Sequence, residues 1–163
     1  MFVSKHGHPL LRADAVEALR REIVPLATLV TPNLPEAGGL AGLAGLDVRT
    51  RDDMARAAEA ILSLGAGAVL VKGGHLQDGA DDLFADGTRT EWIEGERIDT
   101  ADTHGTGCVL SAAITAHLAR GEELLDAVRL GKAFVTEAIS HAVAIGGGIG
   151  PVSPGWRPLE GRA

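Results

Sequence analysis

Cysteine occurs once, at Cys108, which excludes an intrachain disulfide and any cysteine-based metal cluster. Aromatic residues are only 3% of the 163 positions. Their scarcity argues against single-strand nucleic-acid binding, which stacks bases on aromatic platforms. Apolar runs of about 18 residues are missing too, so no membrane span is expected. The start, Met1 to His6, has no apolar core of a signal peptide. An excess of positive charge is also lacking. The formal net charge of -7 disfavours nonspecific binding to nucleic acid or anionic lipid. A small phosphorylated ligand stays compatible, because it needs only local positive potential. These absences together make the cytoplasm the expected location. Two nucleotide signatures are absent as well. No G-x-x-x-x-G-K-[ST] P-loop occurs, and the Gly146–Gly150 cluster follows a helix pattern, so it is not a Rossmann fingerprint.

What is present is 45% hydrophobic residues, mostly small and branched, enough to fill a core at this length. Helix and strand patterns alternate, the signature of an α/β domain with a largely parallel sheet. An amphipathic helix is expected over Ala13–Ile23, ended by Pro25. A short buried strand is expected over Thr28–Val30, and a short helix from Pro35 that Gly38 and Gly39 weaken. Thr50 is the expected N-cap of a helix reaching about Leu64 and closed by Gly65. Ala68–Val71 is a continuous apolar run, as expected for a strand covered on both faces. Leu83–Asp86, Arg89–Ile93 and Arg97–Ile98 read as short strands, with turns at Asp86-Gly87 and Glu94-Gly95, forming an antiparallel edge. Gly105–Leu118 reads as a helix apolar on most faces and therefore buried. Leu124–Val143 carries a stripe of Leu124, Val128, Val135, Ala138 and Ala142, and the tail after Pro154 is expected to be loose.

Three segments could carry chemistry. Thr103-His104-Gly105-Thr106-Gly107-Cys108 leads into a helix. The first amides of a helix lack internal partners and stand at the positive end of its dipole. Glycines there let a phosphate reach the main chain, so the segment can form an anion site. Such donors would face the charge on a phosphoryl group in transfer. Cys108 stands where a helix N-terminus favours the thiolate, which could act as general base. Read by itself, an isolated Cys beside Gly and Ala is most often a small buried hydrophobe. Thr31-Pro32-Asn33-Leu34-Pro35-Glu36 follows a strand end, where α/β sheets place ligands. Asn33 and Glu36 could organise a hydrated Mg²⁺, or they could form a capping box. Lys72-Gly73-Gly74 also follows a strand; the lysine could neutralise a nucleotide phosphate, or it could be solvated at a turn. His75 and His104 are open between ligand contact and an exposed or capping role.

Taken together, TPNLPE (31–36), VKGGH (71–75), DTHGTGCVLSAA (102–113) and IGGGIGPV (145–152) resemble the hydroxymethylpyrimidine/phosphomethylpyrimidine kinase family, over nearly all of residues 8–152. The GTGC element after Thr-His is the most specific part, since most ribokinase-like sugar kinases carry Asp where this branch has Cys. The resemblance implies a ribokinase-like three-layer α/β/α fold and phosphorylation of hydroxymethylpyrimidine, then of its monophosphate, by ATP with Mg²⁺. It implies Cys108 as base and Gly105, Thr106 and Gly107 as the anion hole. Lys72, Gly73, Gly74 and Thr103 would lie at the nucleotide, and the segment from Val135 to Ile149 would border adenine. Asn33 and Glu36 would hold Mg²⁺ through water. Residues 1–152 would be the carboxy-terminal portion of the kinase domain and 153–163 a loose tail, with the family's upstream strands and pyrimidine contacts missing. Departures are Phe2-Val3-Ser4-Lys5 in place of an Asp-containing strand exit, Asp102 where Asn is usual, and Ser153-Pro154 in place of a His-containing ending. The expected partners are a small pyrimidine and either a second copy or the missing half. A pyridoxal kinase of the same branch is the nearest alternative. A non-catalytic nucleotide-binding remnant or interaction module is the alternative of a different class.

Overall fold

Pro25 decides how the first helix ends. A computed structural model describes residues 10–42, 47–74, 76 and 79–156. In it the expected Ala13–Ile23 helix is α-helical only over α1, Ala13–Ala18. Leu19–Ile23 widens into a π turn in which the Val24 amide reaches Leu19 O, and Val24–Leu26 tightens into a 3₁₀ turn. Pro25 has no N–H to give to Arg21, and its ring would meet that carbonyl, so the helix changes pitch instead of continuing.

The chain forms two compact units, Met1–Arg97 and Ile98–Ala163. In the first, α2 (Leu34–Ala41) starts at Asn33 with a full capping box and ends at Gly42, whose φ of 64° is left-handed. Gly38 and Gly39 do not prevent it. The box, Pro35 in the first turn and burial of Leu34, Ala37 and Leu40 outweigh two glycines. Arg20 Nε donates to Leu40 O at 2.8 Å, giving the carbonyl end of α2 a cation. Helix α3 (Arg51–Leu62) starts at the expected Thr50, again with a capping box, here to Asp53.

Strand β1 (Val69–Val71) is fully buried, as its apolar run predicts. Strands β2 (Asp82–Ala85) and β3 (Thr90–Ile93) follow in the order β1-β2-β3, both pairs antiparallel. The β2–β3 turn uses the expected Gly87, at φ 82°. Asp86 Oδ1 accepts the Thr88 and Arg89 amides there, and its carboxyl is held well below the usual range, first by the Thr88 hydroxyl. The parallel component appears as the bridges Val30↔Val69 and Asn33↔Lys72 on the other side of β1.

Two strand expectations are corrected. Thr28–Val30 is reduced to the single bridge of Val30 with Val69, although its backbone bonds to the chain at Gly67–Leu70, and it is not buried as expected, Thr28 being exposed and Val30 half-buried. Arg97–Ile98 and Glu94-Gly95 are neither strand nor turn. Arg97 instead donates to Leu76 O and Gly79 O, and the Gly95 amide donates to Asp81 Oδ1 at 3.0 Å. Side-chain bonding to loop carbonyls has replaced a ladder. The core of this unit joins Val24, Leu34, Leu40, Met54, Ile61, Val69, Val71 and Leu83.

In the second unit α4 (Thr106–Ala119) and α5 (Leu124–Ser140) pack together. Gly131 makes this possible, since a Cβ there would lie 2.6 Å from Ile114 Cγ1. The α5 stripe is buried at Val128, Val135 and Ala138 as expected, whereas Ala142 lies past the helix end. Helix α4 is not buried on most faces. Only Leu110 and Ile114 are, because its other positions are largely Ala, Thr and Ser, which cost little to leave in water. After Pro154, Trp156 stacks on His141 with ring centroids 4.9 Å apart. The remainder of the expected tail, 157–163, lies outside the described residues, as do Phe2-Val3-Ser4-Lys5 and His75. No described helix is long and apolar enough to cross a membrane.

Candidate functional site

Helices α2 and α3 close their N-termini with side chains; α4 does not. Its N-cap is Gly105, at φ 86°, with no side-chain cap and no acidic residue in the first turn. A left-handed φ is the reason glycine stands there. The Thr106 amide reaches Thr103 O at 3.4 Å, while its hydroxyl donates to the same oxygen at 2.8 Å. The first regular helical bond is from Val109 N–H to Gly105 O, at 2.9 Å. Among the described residues no acceptor faces the amides of Gly105, Gly107 or Cys108. Main-chain donors, positive dipole and missing side chains therefore coincide at one point, the arrangement that binds an anion. Cys108 is exposed, which overturns the reading of it as a buried hydrophobe. His104 is exposed as well, and its backbone pairs with the chain at Gly150 and Val152. Val135 has only 3% of its surface exposed and turns into the unit's core, so its side chain offers a ligand no surface.

The other sequence-predicted residues lie in the first unit. Asn33 Oδ1 accepts the Glu36 amide at 2.9 Å, and Glu36 Oε2 accepts the Asn33 amide at 3.1 Å. The capping box weighed against metal binding is thus present. Glu36 is nonetheless 5% exposed, an unusual position for a carboxylate. It lines an open cavity of about 240 Å³ with Leu29, Val30, Thr31, Pro32 and Leu40. Hard oxygen donors of this kind fit Mg²⁺ that keeps its waters. Lys72 is not solvated at a turn: it is half-buried, and its Nζ donates to Thr31 O at 2.7 Å. The Lys72 amide meets Pro32 O at 2.9 Å, so the two loops are joined by main chain and side chain alike.

Two participants were not legible in the sequence. Asp82, 3% exposed, accepts the Gly73 amide at 2.8 Å. A Cβ on Gly73 would fall 1.8 Å from Asp81 O, so glycine is required by close approach, whereas Gly74 has open space. Asp102 accepts the Gly150 amide at 2.8 Å across 48 positions. No local pattern announces either bond, because each depends on where the chain returns.

The sequence profile of the family described as phosphomethylpyrimidine kinase matches residues 1–153. A hydroxymethylpyrimidine/phosphomethylpyrimidine kinase of Rhizobium meliloti is 51% identical, over 93% of this chain and 58% of its own. The one from Streptomyces coelicolor is 46% identical, over 94% and 56%. A pyridoxal kinase structure from Staphylococcus aureus in complex with ADP superposes with a TM-score of 0.87 at 38% identity, covering 95% of this chain and 56% of that one. A phosphomethylpyrimidine kinase structure from Clostridium difficile gives 0.70 at 40% identity, covering 85% and 54%. The fold is accordingly the α/β, ribokinase-like fold of these kinases. The chain spans about half the length of the curated relatives it matches. On this match, and on the motifs that carry it, the chain belongs to the phosphomethylpyrimidine kinase family.

Proposed function

We propose that this chain carries the nucleotide-handling and phosphoryl-transfer residues of an ATP-dependent kinase acting on hydroxymethylpyrimidine and then on its monophosphate. The observation that carries the reading is the uncapped start of α4, where the Gly105, Gly107 and Cys108 amides have no acceptor among the described residues. Those donors, with Thr106 between them, would meet the oxygens of the group in transfer, where negative charge concentrates. Cys108, exposed in the first turn, would take the proton of the attacking hydroxymethyl group. The hydroxyl oxygen then bonds to the terminal phosphorus of ATP, and the bond from that phosphorus to the bridging oxygen breaks, releasing ADP. Thr103 would support the same loop through its carbonyl.

In the first unit Lys72, fixed by Thr31 O, would carry positive charge to the nucleotide, with Gly73 and Gly74 leaving room beside it. Mg²⁺, when bound, would neutralise phosphate charge. Asn33 and Glu36 would hold its waters, the role a buried carboxylate at a helix start can fill. The irregular chain that follows α5, exposed at Ile145 and Ile149, would border the adenine, while Val135 faces inward from the helix itself. The expected setting is the cytoplasm. The relative named pyridoxine kinase from Bacillus subtilis, 41% identical, supports a second acceptor class.

Calorimetry with MgATP on the chain itself tests the nucleotide reading; absence of heat at any accessible concentration rejects it in favour of a non-binding module. Transfer is tested with the chain alone and joined to the further region its longer relatives carry, giving hydroxymethylpyrimidine phosphate and pyridoxal as competing acceptors. Faster turnover of pyridoxal would move the assignment to the second class. Cys108→Ala should lower turnover about 10²-fold or more. Unchanged turnover removes the thiol from the reaction.

A further inference from the structure

We infer that Asp102 is a positioning residue: with Gly150 it forms a clasp that aims the amides of Gly105, Gly107 and Cys108. The inference rests on the proposed anion site and concerns what holds that site in shape.

Gly150 is gripped at both of its backbone groups. Its N–H donates to Asp102 Oδ1 at 2.8 Å, and its carbonyl accepts the His104 amide at 3.0 Å. One residue further, the Val152 amide donates to His104 O at 3.0 Å. The parallel bridge of His104 with Pro151 is made by Gly150 O and the Val152 amide, and the carboxylate of Asp102 takes up the Gly150 amide that this bridge leaves over. The far end is fixed too, since the Ser153 amide donates to Ala138 O of α5 at 2.8 Å. On its own side Asp102 is steadied by its amide, which donates to Thr100 Oγ1 at 3.1 Å.

The clasp has a steric signature. A Cβ on Gly150 would lie 2.2 Å from Asp102 Oδ1 and 2.7 Å from its carboxyl carbon. Glycine at 150 is therefore required by the approach of this one side chain. Residues 102–104 are consequently held along one edge immediately before Gly105 turns the chain, at φ 86°, into α4. The three amides inherit their direction from this edge, because only Gly105 and Thr106 separate it from Gly107. No side-chain cap at the helix start performs the task instead.

The test uses the whole chain and four forms: wild type, D102N, D102A and G150A. Two-dimensional amide spectra report the chemical shifts of Gly105, Gly107 and Cys108, with Ala57 to Ile61 of the other unit as an internal control. Calorimetry with MgADP reports binding, and thermal unfolding reports stability. Asparagine keeps the Oδ1 acceptor, so D102N should bind MgADP within about twofold of wild type. D102A and G150A should weaken binding about tenfold, the effect of losing one bond to a charged acceptor, and move the resonances of the three amides. The control amides should not move. The inference is overturned if D102A leaves the three amides unaltered, or if D102N fails as badly as D102A while both melt like wild type. Should D102A not fold, G150A against D102N decides the matter by the same two criteria. Absence of MgADP binding by wild type would defeat the nucleotide reading alone, since the amide shifts still judge the clasp.

Discussion

Glycines at three positions face different neighbours, and the difference sets what each would cost to replace. At Gly131 a Cβ would meet Ile114 Cγ1 at 2.6 Å and Ile114 N at 3.2 Å, so α4 and α5 would have to separate. Gly131→Ala should destabilise by about 1–3 kcal/mol, the usual cost of overpacking, read as a lower denaturation midpoint. At Gly73 the obstacle is the Asp81 carbonyl, which is main chain and cannot swing aside. Gly74 meets nothing within 4 Å, so Gly74→Ala should stay within about 0.5 kcal/mol of wild type. Equal losses at Gly73 and Gly74 would contradict this account of the loop. Sequence inspection marks all three as glycine alone. It cannot rank them, because the rank depends on which distant atoms come near. Cys108 shows the same limit: its position at a helix start was readable, its exposure was not.

At the scale of elements, the helix starts were the most legible features. Thr50 is the N-cap expected of it, in a box with Asp53, and Asn33 and Glu36 form the box their spacing suggests. Thr50→Ala should cost about 1 kcal/mol. Its acid behaviour is a sharper test. The Asp53 carboxyl is held at about 2, first by the Thr50 hydroxyl, then by Arg56. A folded value below the unfolded one means the stabilisation is whole above the ordinary carboxylate value of about 4. It is lost as pH falls from there through about 2. Removing the hydroxyl should make the decline in thermal stability between pH 4 and pH 2 shallower than in wild type. A steeper decline would show that Thr50 does not hold this carboxylate ionised. Strands were less legible than helices. Arg97–Ile98 has suitable residues but pairs with no strand, and Val30 meets the chain of β1 at one bridge that goes no further; how far pairing extends depends on the route of the partner backbone, which composition cannot supply. Helix α4 misled in the other direction, since a uniformly apolar composition suggested burial that its small side chains do not need.

Across the molecule, large apolar side chains stand in water in both units: Leu26 at 81% and Ile23 at 56% in the first, Ile145 at 68% and Val143 at 64% in the second. Light scattering across a concentration series should therefore show association. Leu26→Lys combined with Ile23→Lys should reduce it without lowering the melting temperature by more than a degree or two. A monodisperse monomer at every concentration would contradict the expectation.

The sequence by itself determined the local events. Helix starts follow from side chains three residues apart, helix ends from Pro25 and Gly65, and the family from four short motifs in order. Each depends on atoms within a few bonds along the chain. Tertiary structure alone decided the rest: which glycine is jammed, that Cys108 is exposed, that Lys72 leans on Thr31, and that Asp102 meets Gly150. These depend on which parts of the chain return to one another, across as many as 48 positions for Asp102 and Gly150. Their existence depends on the route of the folded chain, and no short-range preference encodes that route.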